Sequence, residues 1–231
     1  MMVEIDIRGL DAVQRQLLGL AVEQLPYAMS LALNRTAFTL QKDSRKRLEQ
    51  TFEKPTPQIK GATRVEKATK QNLTARVLID PRRAVVLRTH EFGGRRGQQR
   101  LERVIVGRGW MPGEYRAVPC ALMPLDTYGN PQRKAVNEIM LSILKFGASG
   151  QRGDARRVFV ISVGSRSHLH PGIYRTLSRA TGRAIAPLYL FVPRAQYKAI
   201  LNWEQTMVAD ALRVLPGYAA EAVDQALRTA R

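Results

Sequence analysis

The chain is short of cysteine and of long apolar runs. Cys120 is its only cysteine, which excludes a disulfide within the chain and is typical of a protein made in a reducing cytoplasm. No apolar stretch reaches the length of a membrane span, and no apolar segment follows a basic start at the N-terminus. The sequence therefore predicts neither a transmembrane helix nor a cleaved secretory signal.

Aromatic and acidic residues are also few. Aromatic residues make up 6% of a chain that is 45% hydrophobic, so the predicted core is aliphatic. Asp and Glu total 19 against 37 Lys and Arg, which leaves a formal net charge of +18. A charge of this size attracts polyanions. Because the arginines are spread along the whole chain, we interpret the charge as a solvated surface or a face that meets an acidic neighbour. Nucleic-acid contact is the alternative.

The residue patterns of common enzyme sites are missing. There is no P-loop or dinucleotide fingerprint, and the GSRS sequence at 164–167 lacks the second glycine of a nucleophile elbow. His168 and His170 would share one side of an extended segment and, with Cys120 or His90, would suit a metal, but no further ligand lies nearby in the sequence. The acidic residues form no evident pair for acid–base chemistry. The sequence predicts a protein that is not an enzyme and holds no metal or cofactor.

Hydrophobic periodicity and turn residues predict the elements of the N-terminal part. Val3, Ile5 and Ile7 alternate with polar residues, which indicates a strand with one buried face. The predicted elements are a strand over 3–7, a helix over 10–21 capped by Asp11, a helix over 27–50, an extended loop over 54–57, and strands over 63–69 and 73–79.

The C-terminal part is predicted in the same way, around an apolar strand over 188–192 held between Pro187 and Pro193. The other predicted elements are a helix from Asn130 and Pro131 to Gly147, a strand over 157–163, a turn at Pro171 and Gly172, a basic link over 175–183, and helices over 197–215 and 218–231 separated by Pro216. Few strands that do not alternate with helices favour an α+β fold, a single domain over 1–231 with a small, mostly antiparallel sheet packed by several helices.

Residues 82–120 have the least regular pattern. Arginines and glycines are dense there, and only residues 98–106 suggest a helix. We interpret the segment as an irregular basic arm that becomes ordered against a neighbouring subunit, because it lacks the apolar surface to order alone. A phosphate-binding arm is the alternative. The predicted subunit-interface residues are Arg95, Arg96, Trp110, Met111 and Tyr115; the alternative for Trp110 and Tyr115 is that they pack on their own domain. The predicted DNA-facing residues are Arg82, Arg83, Arg100 and Arg103.

Several segments, in order along nearly the whole chain, resemble a family of virion proteins from tailed phages and prophages. They are LALNRTA at 31–37, KPTP at 54–57, KATKQNLTARV at 67–77, EFGGRR at 91–96, LDTYGNPQ at 125–132, PGIYRT at 171–176 and PLYLFVPRAQYK at 187–198. The family comprises minor tail or tail-completion proteins similar to protein Z of the lambda-like phages.

The resemblance implies a structural role at the neck or upper tail of the virion, with the host cytoplasm as the place of assembly. Members of this kind are small α+β subunits, expected to form a sixfold ring that joins the tail terminator to the head connector and surrounds the path of the double-stranded DNA. No catalytic residues define the family, so none are carried over. A nonspecific nucleic-acid-binding protein is the alternative function, which the charge of +18 favours.

Overall fold

The computed structural model describes residues 1–7, 20–149, 158–177, 184–193 and 196–229, with the side chains of 20–23 left aside. It shows an α+β fold with two antiparallel sheets, as the sequence predicts. The chain divides into two compact units, whereas the sequence was interpreted as one domain. Unit 1 combines Met1–Gly93 with Lys198–Arg231, and unit 2 is Gly94–Tyr197. The first boundary lies at Gly93–Gly94, in a stretch that was interpreted as part of an irregular arm, so the division was not predicted.

The elements run as follows in chain order. Unit 1 contains β1 Met2–Asp6, α1 Leu20–Thr51, α2 Pro57–Lys60, β2 Thr63–Glu66, β3 Thr74–Ile79 and α3 Pro81–Phe92. Unit 2 contains α4 Arg100–Gly107, β4 Tyr115–Pro119, α5 Arg133–Phe146, β5 Val158–Ile161, β6 Gly172–Thr176 and β7 Ile185–Pro193. The last helix, α6 Trp203–Thr229, returns to unit 1. The helix predicted over 10–21 lies largely outside the described residues.

Unit 1 is built on a three-stranded sheet in the order β1-β3-β2. The alternation in β1 holds, since Val3 and Ile5 are buried while Glu4 is exposed. They share a core with Val77 of β3 and with Leu33 of α1. Strand β2 ends at Glu66, before the predicted end at 69, because the side chain of Asn34 binds both the N–H and the carbonyl of Ala68.

Helix α6 continues through Pro216, where the sequence predicted a break. Proline removes one helical hydrogen bond and clashes with the preceding turn, at a cost of about 3 kcal/mol. Apolar contacts on both sides of Pro216 offset that cost. Met207 packs into the core around the sheet, and Ala222 packs into a second cluster with Leu25 of α1. Tertiary packing therefore overrides the local preference of the sequence.

Unit 2 is built on a four-stranded sheet in the order β4-β7-β6-β5. The apolar side of α5 is largely buried, with Ile139 and Ile143 fully enclosed, although Leu144 is exposed. They share a core with Ile105 of α4 and Phe191 of β7. Helices α4 and α5 therefore pack with the sheet, and β7 is paired on both sides.

Strand β7 is longer than predicted and includes Pro187, which was expected to precede it. Pro187 lies opposite Tyr174, where the pairing of β6 with β7 shifts register. A proline without an N–H is tolerated at such an irregularity because the ladder bond is already interrupted. Strand β6 itself begins at Gly172, in the segment predicted as a turn and the start of a basic link. The rest of that link, residues 178–183, lies outside the described part.

Gly172 allows the close approach of β6 to β7. A Cβ placed on Gly172 would overlap the carbonyl oxygen of Tyr189, which is backbone and has no freedom to move aside. We expect Gly172→Ala to destabilise unit 2 by about 1–3 kcal/mol, as overpacking does. Amide hydrogen exchange of peptides from β6 and β7 would measure the loss. Gly107→Ala is the matched control, because nothing lies within 4 Å of a Cβ there. Equal stability of the two variants would contradict the prediction.

The start of α5 also differs from the prediction. Asn130 was expected to cap the helix and Pro131 to occupy its first turn, but Gln132 is the N-cap. The side chain of Asp126 accepts hydrogen bonds from the backbone N–H groups of Tyr128 and Asn130, both at 2.9 Å. This turn holds Asn130 outside the helix. The predicted C-terminal cap, Gly147, is correct, with φ of 69°.

The prediction of an irregular arm over residues 82–120 is wrong. The segment contains α3, α4 and β4, and it supplies core residues to its own units. Leu87 is fully buried in unit 1, while Leu101, Ile105 and Met111 are buried in unit 2. The spacing of Leu101 and Ile105 is helical, but the surrounding arginines obscured the pattern.

Candidate functional site

A buried carboxylate, Glu102, organises the junction of α4 and β4. Its side chain is 2% exposed and accepts two hydrogen bonds from the guanidinium of Arg96, at 2.8 and 2.7 Å. It also accepts from the backbone N–H of Gln99 at 2.7 Å and of Ala117 at 2.8 Å. The bond to Gln99 caps α4, and the bond to Ala117 satisfies an N–H of an edge strand. The carboxylate is thus saturated with donors, which is typical of a structural group.

The pKa of Glu102 reflects this setting. Burial alone would raise the pKa, but the donors from Arg96, Gln99 and Ala117 together hold it below the ordinary value of a glutamate. Nearby, burial and the charge of Glu102 raise the pKa of Tyr189 to about 12. Glu102 is therefore ionised at neutral pH.

We expect unit 2 to lose stability in acid through Glu102. A lowered folded-state pKa gives stability that is fully present above the unfolded-state value of about 4.3. That stability is lost as the pH falls through the lower pKa of the folded state. Amide hydrogen exchange of unit 2 between about pH 5 and pH 3 would measure the loss. In Glu102→Gln, the loss of unit 2 stability between these pH values should be smaller. An unchanged loss in that variant would contradict the role given to the ionised Glu102.

Two arginines of this junction are used inside unit 2. Arg96, predicted at a subunit interface, pairs with Glu102 and also donates to the hydroxyl of Tyr197 at 3.3 Å. Arg116, which sequence reasoning missed, is 8% exposed and donates to the backbone oxygens of Arg96, Gly113 and Tyr115. No local pattern marks Arg116 as buried, because its acceptors are backbone groups.

The other predicted interface residues are divided between core and surface. Met111 is buried, and Trp110 and Tyr115 are half-buried against the core of unit 2. Arg95 is exposed. Only Arg95 of the five therefore presents a largely free side chain.

The four predicted DNA-facing arginines belong to different units. Arg82 and Arg83 lie at the start of α3 in unit 1, where Arg83 donates to the carbonyl of Gly61 at 2.6 Å. Arg100 and Arg103 lie on α4 in unit 2, and both are exposed. No pattern in the sequence separates the two pairs of arginines.

The histidines form no metal site in the part of the chain that the structure describes. His168 and His170 are exposed, and Nδ1 of His170 lies 2.9 Å from the carbonyl oxygen of Pro171. His90 stacks edge-on against Phe52 in unit 1, and burial lowers its pKa. Across the described ranges, no three His, Cys, Asp or Glu side chains group as metal ligands would.

Unit 1 has a buried polar network that the sequence did not reveal. The indole Nε1 of Trp203 donates to the hydroxyl of Ser44 at 2.6 Å, and this hydroxyl lies 2.6 Å from that of Thr63. The carboxylate of Glu91 accepts from the backbone N–H groups of Trp203 and Glu204, which caps α6 from another helix. These groups are distant in sequence, so no local motif predicts them, and their satisfied bonds indicate a structural role.

The positive charge is concentrated in unit 2. Its 104 residues hold 17 Lys and Arg against five Asp and Glu, a net charge of +12 out of the +18 of the chain. Unit 1 has several ion pairs on its surface, such as Arg76 with Glu4 and Arg45 with Glu49. Within the described residues of unit 2, the Arg96–Glu102 pair is the sole ion pair. The exposed cations of unit 2 are therefore largely uncompensated.

Comparison of the chain with protein-family models, curated proteins and solved structures found no match. Among the described residues, no helix is both long enough and apolar enough to cross a membrane.

Proposed function

We propose that the chain is a structural subunit of a phage virion, a tail-completion or head–tail joining protein of the neck. It works by forming interfaces in a ring that links the tail to the head connector and surrounds the DNA path. Its partners are copies of itself, expected in sixfold symmetry, and the neighbouring neck and tail proteins. The proposal rests on the resemblance of the ordered segments to minor tail and tail-completion proteins.

The observation that best supports the proposal is that segments carrying the resemblance contact one another. Asn34 of LALNRTA donates to the carbonyl of Ala68 in KATKQNLTARV at 3.0 Å and accepts from its N–H at 2.8 Å. The PGIYRT segment pairs with PLYLFVPRAQYK as β6 with β7. Gly94 of EFGGRR and Tyr197 exchange two backbone hydrogen bonds, at 3.0 and 2.9 Å. Segments that carry the resemblance and lie far apart in the sequence are thus brought together within each unit.

Exposed apolar side chains on both units are consistent with subunit interfaces. Phe92 of α3 and Leu212 of α6 are 65% and 71% exposed and line one groove of unit 1, and Leu141 of α5 is 66% exposed. Clusters of exposed apolar side chains mark interaction surfaces more often than scattered single residues do. At the outer edge of β4, Glu102 binds the N–H of Ala117, and Pro119 has no N–H to donate. Extension of that sheet across subunits is therefore disfavoured.

Deletion of the coding sequence from the phage or prophage tests the proposal. We expect virions that lack the protein to show separate heads and tails by negative-stain electron microscopy, with infectivity restored by the gene in trans. Normal, infectious, head-joined tails in the deletion strain would refute the proposal. A complemented strain producing Glu114→Gln, an exposed change in unit 2, serves as the control for expression level.

A further inference from the structure

The exposed charges of unit 2 are mainly of one sign. Eight Lys and Arg are exposed among its described residues: Arg95, Arg100, Arg103, Arg108, Arg133, Lys134, Lys145 and Arg166. Three acidic side chains are exposed there, Glu114, Asp126 and Glu138, while Glu102 is buried and paired. A surface with this balance attracts a polyanion over a distance of about 8–10 Å at ordinary ionic strength.

Helix α4 presents part of this charge on one face. Leu101, Glu102 and Ile105 are buried in unit 2, whereas Arg100 and Arg103 are exposed. Residues three apart lie on the same side of a helix, so the two guanidinium groups project from one face. Glu102 is held inward by Arg96 and Ala117, which keeps the acidic side chain of α4 away from that face.

The ends of α4 leave room for a chain to approach closely. Nothing lies within 4 Å of a Cβ placed on Gly97 before the helix, or on Gly107 and Gly109 after it. Glycine permits the backbone of a ligand to come near because no side chain intervenes. Arg108, at the end of the helix, lies 5.9 Å from the ring centre of Trp110, which orients a further cation at this end.

The composition of the surface favours nucleic acid over an acidic protein. Protein interfaces are centred on aromatic and large apolar side chains. On α4 itself no large apolar side chain is exposed. Arginine and glycine without an apolar anchor suit a regularly repeated phosphate, which arginine binds through planar, two-point hydrogen bonds.

We propose that the outer face of α4, centred on Arg100 and Arg103 and flanked by Arg95 and Arg108, binds the phosphate backbone of double-stranded DNA without reading its sequence. Arg96 and Arg116 are excluded from this surface because their donors are used within unit 2. The inference deepens the proposed function by assigning its DNA contact to unit 2. Its test uses purified protein without virions, so a failure here and a failure of the virion proposal are distinguishable.

Fluorescence anisotropy of a labelled random-sequence duplex, titrated with full-length protein between about 50 and 200 mM salt, tests the proposal. The variant is Arg100→Glu with Arg103→Glu, and Arg100→Gln with Arg103→Gln is a second version that reverses no charge. The matched control is Lys42→Glu with Lys54→Glu, two exposed lysines of unit 1. Circular dichroism confirms that each variant is folded.

We expect both α4 variants to weaken binding at 100 mM salt by at least about tenfold and to reduce the slope of log K against log salt by about 2, since each phosphate contact contributes about 0.9. The control should keep the slope of the wild type. Equal losses in the control and the Arg→Glu variant would overturn the proposal in favour of an effect of net charge. Absence of salt-dependent DNA binding by the wild type, or tighter binding to polyglutamate than to DNA, would also overturn it.

Discussion

Glu102→Ala is expected to destabilise unit 2 by about 3–5 kcal/mol, because removing one partner of a buried ion pair leaves the other without compensation. The loss includes the acceptor for Arg96 and for the backbone N–H groups of Gln99 and Ala117. The cap of α4 and the closed edge of β4 would fail together. We expect peptides from β4 and β7 to exchange amide hydrogens much faster than in the wild type.

Hydrogen exchange resolved by mass spectrometry suits this test, since a chain with two compact units has no single free energy of unfolding. Peptides from β1 and β3 in unit 1 provide an internal reference. Glu138→Ala, an exposed change on α5, is the matched control and should alter exchange little. If peptides of unit 2 exchange at the same rate in Glu102→Ala and in Glu138→Ala, the role given to Glu102 is incorrect.

Trp203→Ala is expected to destabilise unit 1 by about 3–5 kcal/mol, the usual cost of deleting a buried aromatic side chain. Trp203 is fully buried and packs in the core with Leu201 and Met207. Its removal also leaves the hydroxyl of Ser44 without the indole donor. Exchange should accelerate in peptides of β1 and β3 more than in those of β6 and β7.

Trp203→Phe separates the two contributions. Phenylalanine keeps much of the apolar volume but has no Nε1–H, so we expect an intermediate loss that includes about 0.5–1.5 kcal/mol from the lost hydrogen bond to Ser44, whose hydroxyl keeps that of Thr63 as a partner. Hydrogen exchange of peptides from β1 and β3 would rank the three proteins. Identical stability of Trp203→Phe and wild type would show that the hydrogen bond contributes nothing.

The elements found from the sequence are those whose signal is local. Alternation in β1, the helical spacing in α1 and the glycine cap at Gly147 depend on residues a few positions apart. The α+β class followed from the order of such elements. Charged residues do not hide these patterns because the apolar positions recur strictly.

The features that were missed depend on contacts between distant residues. Glu102 meets Ala117 across a turn, Glu91 meets Trp203 across the whole of unit 2 in sequence, and neither pair has a recognisable spacing. The sequence also did not predict which arginines are paired and which are exposed. Arg96 and Arg100 are four residues apart in similar surroundings, yet one is paired with a carboxylate and the other is exposed. Only the acceptors, which are set by the fold, distinguish them.

The interrupted course of unit 1 has a consequence for synthesis on the ribosome. Helix α6 packs along α1, but it is translated only after all of unit 2 has been made. At about 5–20 residues per second, α1 waits roughly ten seconds or more before Leu25 and Met29 meet Ala222 and Ala226 of α6, with which they form an apolar cluster. Unit 2, by contrast, is continuous, and its ends are joined by the hydrogen bonds between Gly94 and Tyr197. The central part of the polypeptide is therefore able to complete its fold first, and the beginning of the chain acquires its full core only when the last helix emerges.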